Sequence, residues 1–402
     1  MTTKNASHAI RTRLNALASK YLNNWVTPVI LAYSEESGRY DFGALCVAFP
    51  IPQVMISTRR RESPMPASTS IPLSILDLAP IGPGETAAQS YANSVALAQA
   101  AERHGYTRVW YAEHHNMPTI GSSATSVLIA HVAANTSTIR LGSGGVMLPN
   151  HSPLTIAEQF GTLETLHPGR IDVGLGRAPG GDRAIFNALR RDPGASEQFP
   201  QDVMELQAYL AGASIVNGVS ATPTPDSPPP LYILGSSLFG AQLAAALGLP
   251  YAFASHFAPD ALHDAVALYR RDFKPSVQLE HPYVIAAANV FAADNPEAAA
   301  TQFASARRRR VRGMIARNQA GVDYSDQQID EFLSTPAGAN IANMMRVTAV
   351  GTSADVAGFL DEFALSAQAD ELILAHGALA VDDRLRSVEL AAPALRNTPG
   401  KP

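Results

Sequence analysis

From Ile71 onward, short apolar runs of strand length alternate with longer stretches whose apolar positions recur at helical spacing. The short runs are 71–79 (IPLSILDLA), 107–112 (TRVWYA), 138–143 (TIRLGS), 170–175 (RIDVGL), 231–234 (LYIL), 251–254 (YAFA), 283–292 (YVIAAANVFA) and 371–375 (ELILA), eight in all. Between them, stretches such as 86–104, 122–135, 153–166, 198–211, 238–248 and 259–271 have the length that helical crossovers require. Eight strand–helix units close into a barrel more naturally than they extend an open sheet, so the expected fold is an α/β (β/α)8 TIM barrel.

Two stretches depart from the repeat. Residues 213–229 end in TPTPDSPPP, and residues 294–347 read as helices that carry ARRRRVR. Both are expected to be insertions, the second a cover for the barrel mouth. The basic run itself reads as a solvated helix face. The first seventy residues show no clear period and close with TRRRESPMPASTS, which cannot bury enough apolar surface to order itself. Residues 1–70 are therefore expected to form a poorly ordered, non-barrel N-terminal extension, and residues 71–395 the barrel domain.

Composition narrows the function classes. With 402 residues, 46% of them hydrophobic and 16% charged, the chain can bury one large core. A formal net charge of −5 argues against nucleic acid as a partner, because such binding neutralises phosphates with a basic surface. The single cysteine, Cys46, leaves no internal disulfide, and no Cys/His cluster has the spacing of a zinc site. No metal is expected, and the natural compartment is the reducing cytoplasm. No uncharged apolar run reaches about 18 residues, so no membrane-spanning helix is expected. A small-molecule role fits best.

In a (β/α)8 barrel the active site is built from the loops after the C-terminal ends of the strands. Here those loops are polar and glycine-rich: Glu113-His114-His115-Asn116 after the second run, Gly144 to His151 after the third, Gly176-Arg177 after the fourth and Gly235-Ser236-Ser237 after the fifth. The last leads straight into a helix near Leu238, where free N–H groups and the dipole favour an anion such as phosphate. An ordinary N-cap is the bland alternative for those serines. Arg177, on the neighbouring strand end with a guanidinium fork suited to phosphate, tips the balance. His114 and His115 are adjacent at a strand end, so they point to opposite faces and do not easily share a metal ion. One of them should face the mouth as an acid, base or hydrogen-bond donor, unless both are structural histidines packed against Glu113. Gly144 and Gly145 would let a flat ligand approach the backbone, with Asn150 and His151 as donors at its rim; a tight turn explains any single glycine equally well.

The blocks AEHHN (112–116), GSGGVMLPNHSPLTIAEQF (142–160), HPGRIDVGLGRAPGGD (167–182), ILGSS (233–237) and VGTSADV (350–356) resemble those of the bacterial luciferase-like flavin-dependent monooxygenases, single-subunit branch. The resemblance runs in register from about Ile71 to about Ala380. It implies a barrel that binds reduced FMN, supplied by a separate flavin reductase, and that uses molecular oxygen on a small organic substrate. The absence of a G-x-G-x-x-G turn between a strand and a helix agrees with an external source of reduced flavin. It further implies that His114, with Glu113, serves the oxygen chemistry, that Arg177, Gly235, Ser236 and Ser237 meet the FMN phosphate, and that Gly144, Gly145 and Asn150 flank the ring. A homodimer is an expectation of the resemblance alone, and light emission is not expected.

Three other readings compete. A deazaflavin-dependent oxidoreductase on the same barrel would transfer hydride without oxygen. Retention of Glu113, His114 and Arg177 weighs against a non-catalytic flavin-binding protein, because mere storage does not need a peroxide-stabilising histidine. A metal-dependent hydrolase would call for paired H-x-H ligands at a strand end, and none is present.

Overall fold

The computed structural model describes residues 32–34, 39–41, 71–178, 183–316 and 324–395. The chain divides into two compact units, residues 1–65 and 66–402. Within the first, Ala32–Ser34 pairs antiparallel with Arg39–Asp41. The expectation of poor order over residues 1–70 otherwise lies outside the described residues.

The second unit carries the barrel. Its strands are β1 (Leu73–Asp77), β2 (Arg108–Tyr111), β3 (Arg140–Met147), β4 (Ile171–Gly176), β5 (Leu231–Gly235), β6 (Tyr251–Phe253), β7 (Val284–Ala292), β8 (Thr348–Gly351) and β9 (Glu371–His376). Strands β1 to β7 pair in sequence and in parallel, β7 pairs with β9, and β9 returns to β1, closing an eight-stranded barrel from β1–β7 and β9. The eight expected strands are these eight. The short β8 was not anticipated; it pairs only with the outer part of β7, Asn289 to Ala292.

Between the strands lie α1 (Ala87–His104), α2 (Thr125–Ala133), α3 (Pro153–Leu166), α4 (Arg183–Leu189), α5 (Phe199–Leu210), α6 (Leu238–Leu247) and α7 (Leu262–Asp272). The predicted insertion after β7 forms α8 (Pro296–Ala316), α9 (Asp326–Leu333) and α10 (Pro336–Met344), and α11 (Ser353–Ser366) and α12 (Val381–Ala391) flank β9. Local chemistry sets these bounds. Helix α1 starts where Thr86 and Gln89 form a reciprocal capping box, and it ends at Gly105, whose φ of 82° suits a residue without a Cβ.

Alternation along the strands produces two cores. Ile75, Val109, Leu141, Val173 and Ile233 face outward and pack under the helices in one large cluster. Leu76, Trp110, Tyr232, Ile285 and Ile373 face inward and fill the barrel. A charged layer closes its N-terminal end. Arg108 donates to Asp172 at 2.7 Å, to both Glu371 oxygens at 2.9 and 3.1 Å, and to the Tyr232 hydroxyl at 2.7 Å. Arg140 and the Trp110 indole also donate to Asp172, and the Tyr283 hydroxyl donates to Glu371. Burial alone would lower the Arg108 pKa, but the two carboxylates overturn that and raise it. This floor leaves the opposite end of the barrel for chemistry.

Candidate active site

At the C-terminal end, Glu113 stands two residues beyond β2 and is 1% exposed. It organises the loop that follows β3. Its carboxylate accepts from the Met147 N–H at 2.9 Å, from Nε2 of His151 at 2.9 Å, from Nε2 of His115 at 2.7 Å and from Nδ2 of Asn150 at 3.4 Å. Its own N–H donates to the Gly145 carbonyl at 3.2 Å. Burial would push the carboxyl pKa up, yet hydrogen bonds from His115, His151 and Met147 hold it at about 2. The bond to Glu113 in turn raises the pKa of His115. Glu113 is therefore an anchored anion with His115 as its strongest partner. Arg191, which the sequence did not single out, secures the same loop by donating to the Pro149 carbonyl at 3.0 Å and to the carbonyl of His151.

One carboxylate oxygen and the ring nitrogens of His115 and His151 lie within 4.8 Å of one another, a cluster of metal-ligand type. His115 belongs to this group and the adjacent His114 does not; the approach of His151 from the next loop was not foreseen. His114 is partly exposed. Its charge is felt by His256, three residues beyond β6. Burial pushes the His256 pKa down to about 3, with the charges of Arg310 and His114 adding to the effect, so His256 is neutral. Neither His256 nor Arg310 was signalled by local spacing.

Gly144 and Gly145 lie in the irregular part of β3, where the register with β4 shifts between Ser143 and Val146. A Cβ on Gly144 would stand 2.8 Å from Trp110 Cβ, and one on Gly145 would stand 2.8 Å from the Gly174 carbonyl oxygen. Close packing by the barrel itself thus requires glycine at both positions.

Across the mouth, Arg177 follows β4, and its guanidinium lies 4.1 Å from the ring centroid of Phe239, in the first turn of α6. Gly235 ends β5, and Ser236 and Ser237 lead into that helix. Ser237 has the extended backbone of an N-cap residue, φ −146° and ψ 167°, but its side chain makes no capping bond. A side-chain cap therefore does not occupy the Ser237 hydroxyl. Arg177, both hydroxyls and the first N–H groups of α6 share one exposed corner with the donors an anion needs. The structure brings Glu113, Asn150 and Gly145 together, and separately Arg177 with Gly235–Ser237; Gly180, Gly181 and Asp182 are outside the described residues.

Among the described residues no helix is long and apolar enough to cross a membrane. The family model for luciferase-like monooxygenase matches residues 71–368. A protein of Escherichia coli K12 named luciferase-like monooxygenase is 47% identical over 324 residues, covering 80% of this chain and 96% of the relative. The crystal structure of apo-MsnO8 aligns with a TM-score of 0.73 and 34% identity over 82% of this chain and 99% of its own. An F420-dependent secondary alcohol dehydrogenase aligns with a TM-score of 0.61 at 14% identity, over 82% of this chain and 100% of its own, a likeness of fold alone. With the model matched over residues 71–368 and a relative at 47% identity, the chain belongs to the luciferase-like monooxygenases.

Proposed function

We propose that the chain is an FMN-dependent monooxygenase that takes reduced FMN from a separate flavin reductase and uses molecular oxygen on a small organic substrate. The observation that carries the cofactor assignment is the corner formed by Arg177 against Phe239 and the uncapped N-terminus of α6. A guanidinium fork, two hydroxyls and helix N–H groups match a terminal phosphate in charge and donor geometry. Arg177, Ser236 and Ser237 would hold it there. Gly144 and Gly145 would present bare backbone to the ring, with Asn150 at its edge.

Bound reduced flavin supplies the electrons that activate oxygen. The chain's own task is to orient, to exclude water and to manage protons. Glu113 keeps the 147–151 loop in place through Met147, Asn150 and His151. His114 stands at the mouth beside neutral His256 and acts as the proton donor and hydrogen-bond donor nearest the oxygen chemistry. Helix α8 reaches over to the β1 side, where Arg309 donates to the Ile81 carbonyl, and so shelters the mouth.

The test is anaerobic mixing of the protein with reduced FMN, followed by admission of oxygen, with flavin reoxidation and released hydrogen peroxide recorded. Reoxidation slower than free flavin's, and faster with more released peroxide in His114→Ala, is the expected result. Failure to bind reduced FMN together with tight binding of reduced deazaflavin would replace this reading with hydride transfer.

A further inference from the structure

Besides the anion corner at Arg177, the barrel mouth holds ligand atoms of a different kind. A carboxylate oxygen of Glu113 and ring nitrogens of His115 and His151 lie within 4.8 Å of one another, the one such group among the described residues. Two neighbouring loops supply them: Glu113 and His115 follow β2, and His151 follows β3, 38 residues after Glu113. Both histidines turn the same atom, Nε2, to Glu113 Oε1, at 2.7 and 2.9 Å. The other oxygen, Oε2, accepts from the Met147 N–H at 2.9 Å, so a main-chain donor orients the carboxylate, with Asn150 Nδ2 at 3.4 Å from Oε1.

Distances, access and charge all suit a cation. Metal–nitrogen and metal–oxygen bonds of about 2.0–2.1 Å set at right angles span a nitrogen–oxygen edge of about 2.9 Å. The observed separations of 2.7 and 2.9 Å are close to that edge. The Glu113 side chain is 1% exposed, whereas those of His115 and His151 are 21% and 28% exposed, which leaves an entry path from solvent on the histidine side. Among the described residues no lysine or arginine pairs with Glu113. Arg191 on the same side donates to the carbonyls of Pro149 and His151 instead. An ion enters by exchange rather than by filling a gap: it takes the place of the two Nε2 protons, and each ring stays neutral by carrying its proton on Nδ1.

We propose that Glu113, His115 and His151 form a binding site for one divalent transition-metal ion of the zinc, cobalt or nickel class, which braces the loop after β3 against the segment after β2. Two imidazoles and a carboxylate suit such an ion and disfavour magnesium and calcium, which take oxygen ligands. The three protein ligands occupy one side of the ion, and water completes its shell. The proposal departs from the expectation of no metal, which rested on local spacing and is blind to a ligand 38 residues away. It does not depend on the flavin reading, and its test needs neither flavin nor turnover.

The full chain, stripped with a chelator and desalted, is titrated with Co2+ and followed by visible d–d absorption, and Zn2+ is then used to displace the Co2+. The wild type is compared with His115→Ala, His151→Ala and His114→Ala, each first checked for folding by circular dichroism; His115→Gln and His151→Gln replace any alanine variant that does not fold. The expected result is one Co2+ per chain with a spectrum distinct from that of the aqueous ion, displaced by Zn2+ and not by Mg2+. Affinity falls about tenfold or more in His115→Ala and in His151→Ala and is kept in His114→Ala. Zn2+ raises the thermal midpoint of the wild type and leaves that of His151→Ala unchanged. Absence of a Co2+ spectrum, or affinity that survives in both His115→Ala and His151→Ala, overturns the proposal. So does an equal loss in His114→Ala, which would assign the ion to other ligands. Each of these results leaves the flavin and oxygen reading standing, and that reading fails only in its own binding experiment.

Discussion

The two ends of this barrel use charge in opposite ways. At the N-terminal end, Arg108 and Arg140 face Asp172 and Glu371, and each charge is met within 3.1 Å by an opposite charge. At the C-terminal end, Glu113 is satisfied, while the hydroxyls of Ser236 and Ser237 and the guanidinium of Arg310 have no hydrogen-bond partner among the described residues. Both sets are polar, so polarity does not distinguish structure from function here. Completeness of partnering does. A closed set of donors and acceptors holds the fold, and an open set awaits a ligand.

The largest expected effect comes from breaking the closed set. Arg108→Met strands Asp172 and Glu371 inside the barrel and should cost about 3–5 kcal/mol of stability, read from urea unfolding. A loss within about 0.5 kcal/mol, the range of a surface substitution, would remove the distinction between the two ends. Gly144→Ala comes next. Its Cβ would meet Trp110 Cβ at 2.8 Å and Leu76 Cδ1 at 2.9 Å, so overpacking of about 1–3 kcal/mol is expected by the same measurement.

Glu113→Gln sharpens the comparison through pH. The Glu113 pKa lies below its ordinary value of 4.5, at about 2, so its contribution is full above 4.5 and is lost as pH falls from there toward 2. The raised pKa of His115 works in the other direction: its contribution is full below 6.5 and is lost as pH rises through the folded-state value. Thermal unfolding from pH 3 to pH 9 should show both arms in the wild type and flatten in Glu113→Gln, with about 1–3 kcal/mol lost near pH 6. Unchanged arms in the variant would mean that Glu113 is not the hub. Arg177→Met should change stability least, within about 0.5 kcal/mol, because the side chain is exposed and its only described side-chain contact is the Phe239 ring.

The architecture was legible because eight short apolar runs separated by helical stretches leave few other folds available. The four-residue β8 was not, since TAVG just after the helical insertion has no period of its own and exists as a strand only because β7 extends past β6. The floor was equally hidden. Arg108, Asp172 and Glu371 each read as a polar residue at the start of a strand, and they meet only when the barrel closes over sequence separations of 64 and 263 residues. Within the mouth, the E-H-H block and the glycine–serine turn carried a local signal. His256 and Arg310 carried none, because one lies in an unremarkable loop and the other looks like any arginine in a basic helix.

The central claim is that the open corner at Arg177 and α6 holds the phosphate of reduced FMN. Anaerobic equilibrium titration of reduced FMN and of reduced deazaflavin into the wild type and Arg177→Met tests it most directly. The account predicts tighter binding of reduced FMN than of the deazaflavin, with affinity for FMN falling about 10–100-fold in Arg177→Met while stability is kept. Equal affinity in the two proteins, or preference for the deazaflavin, would contradict it.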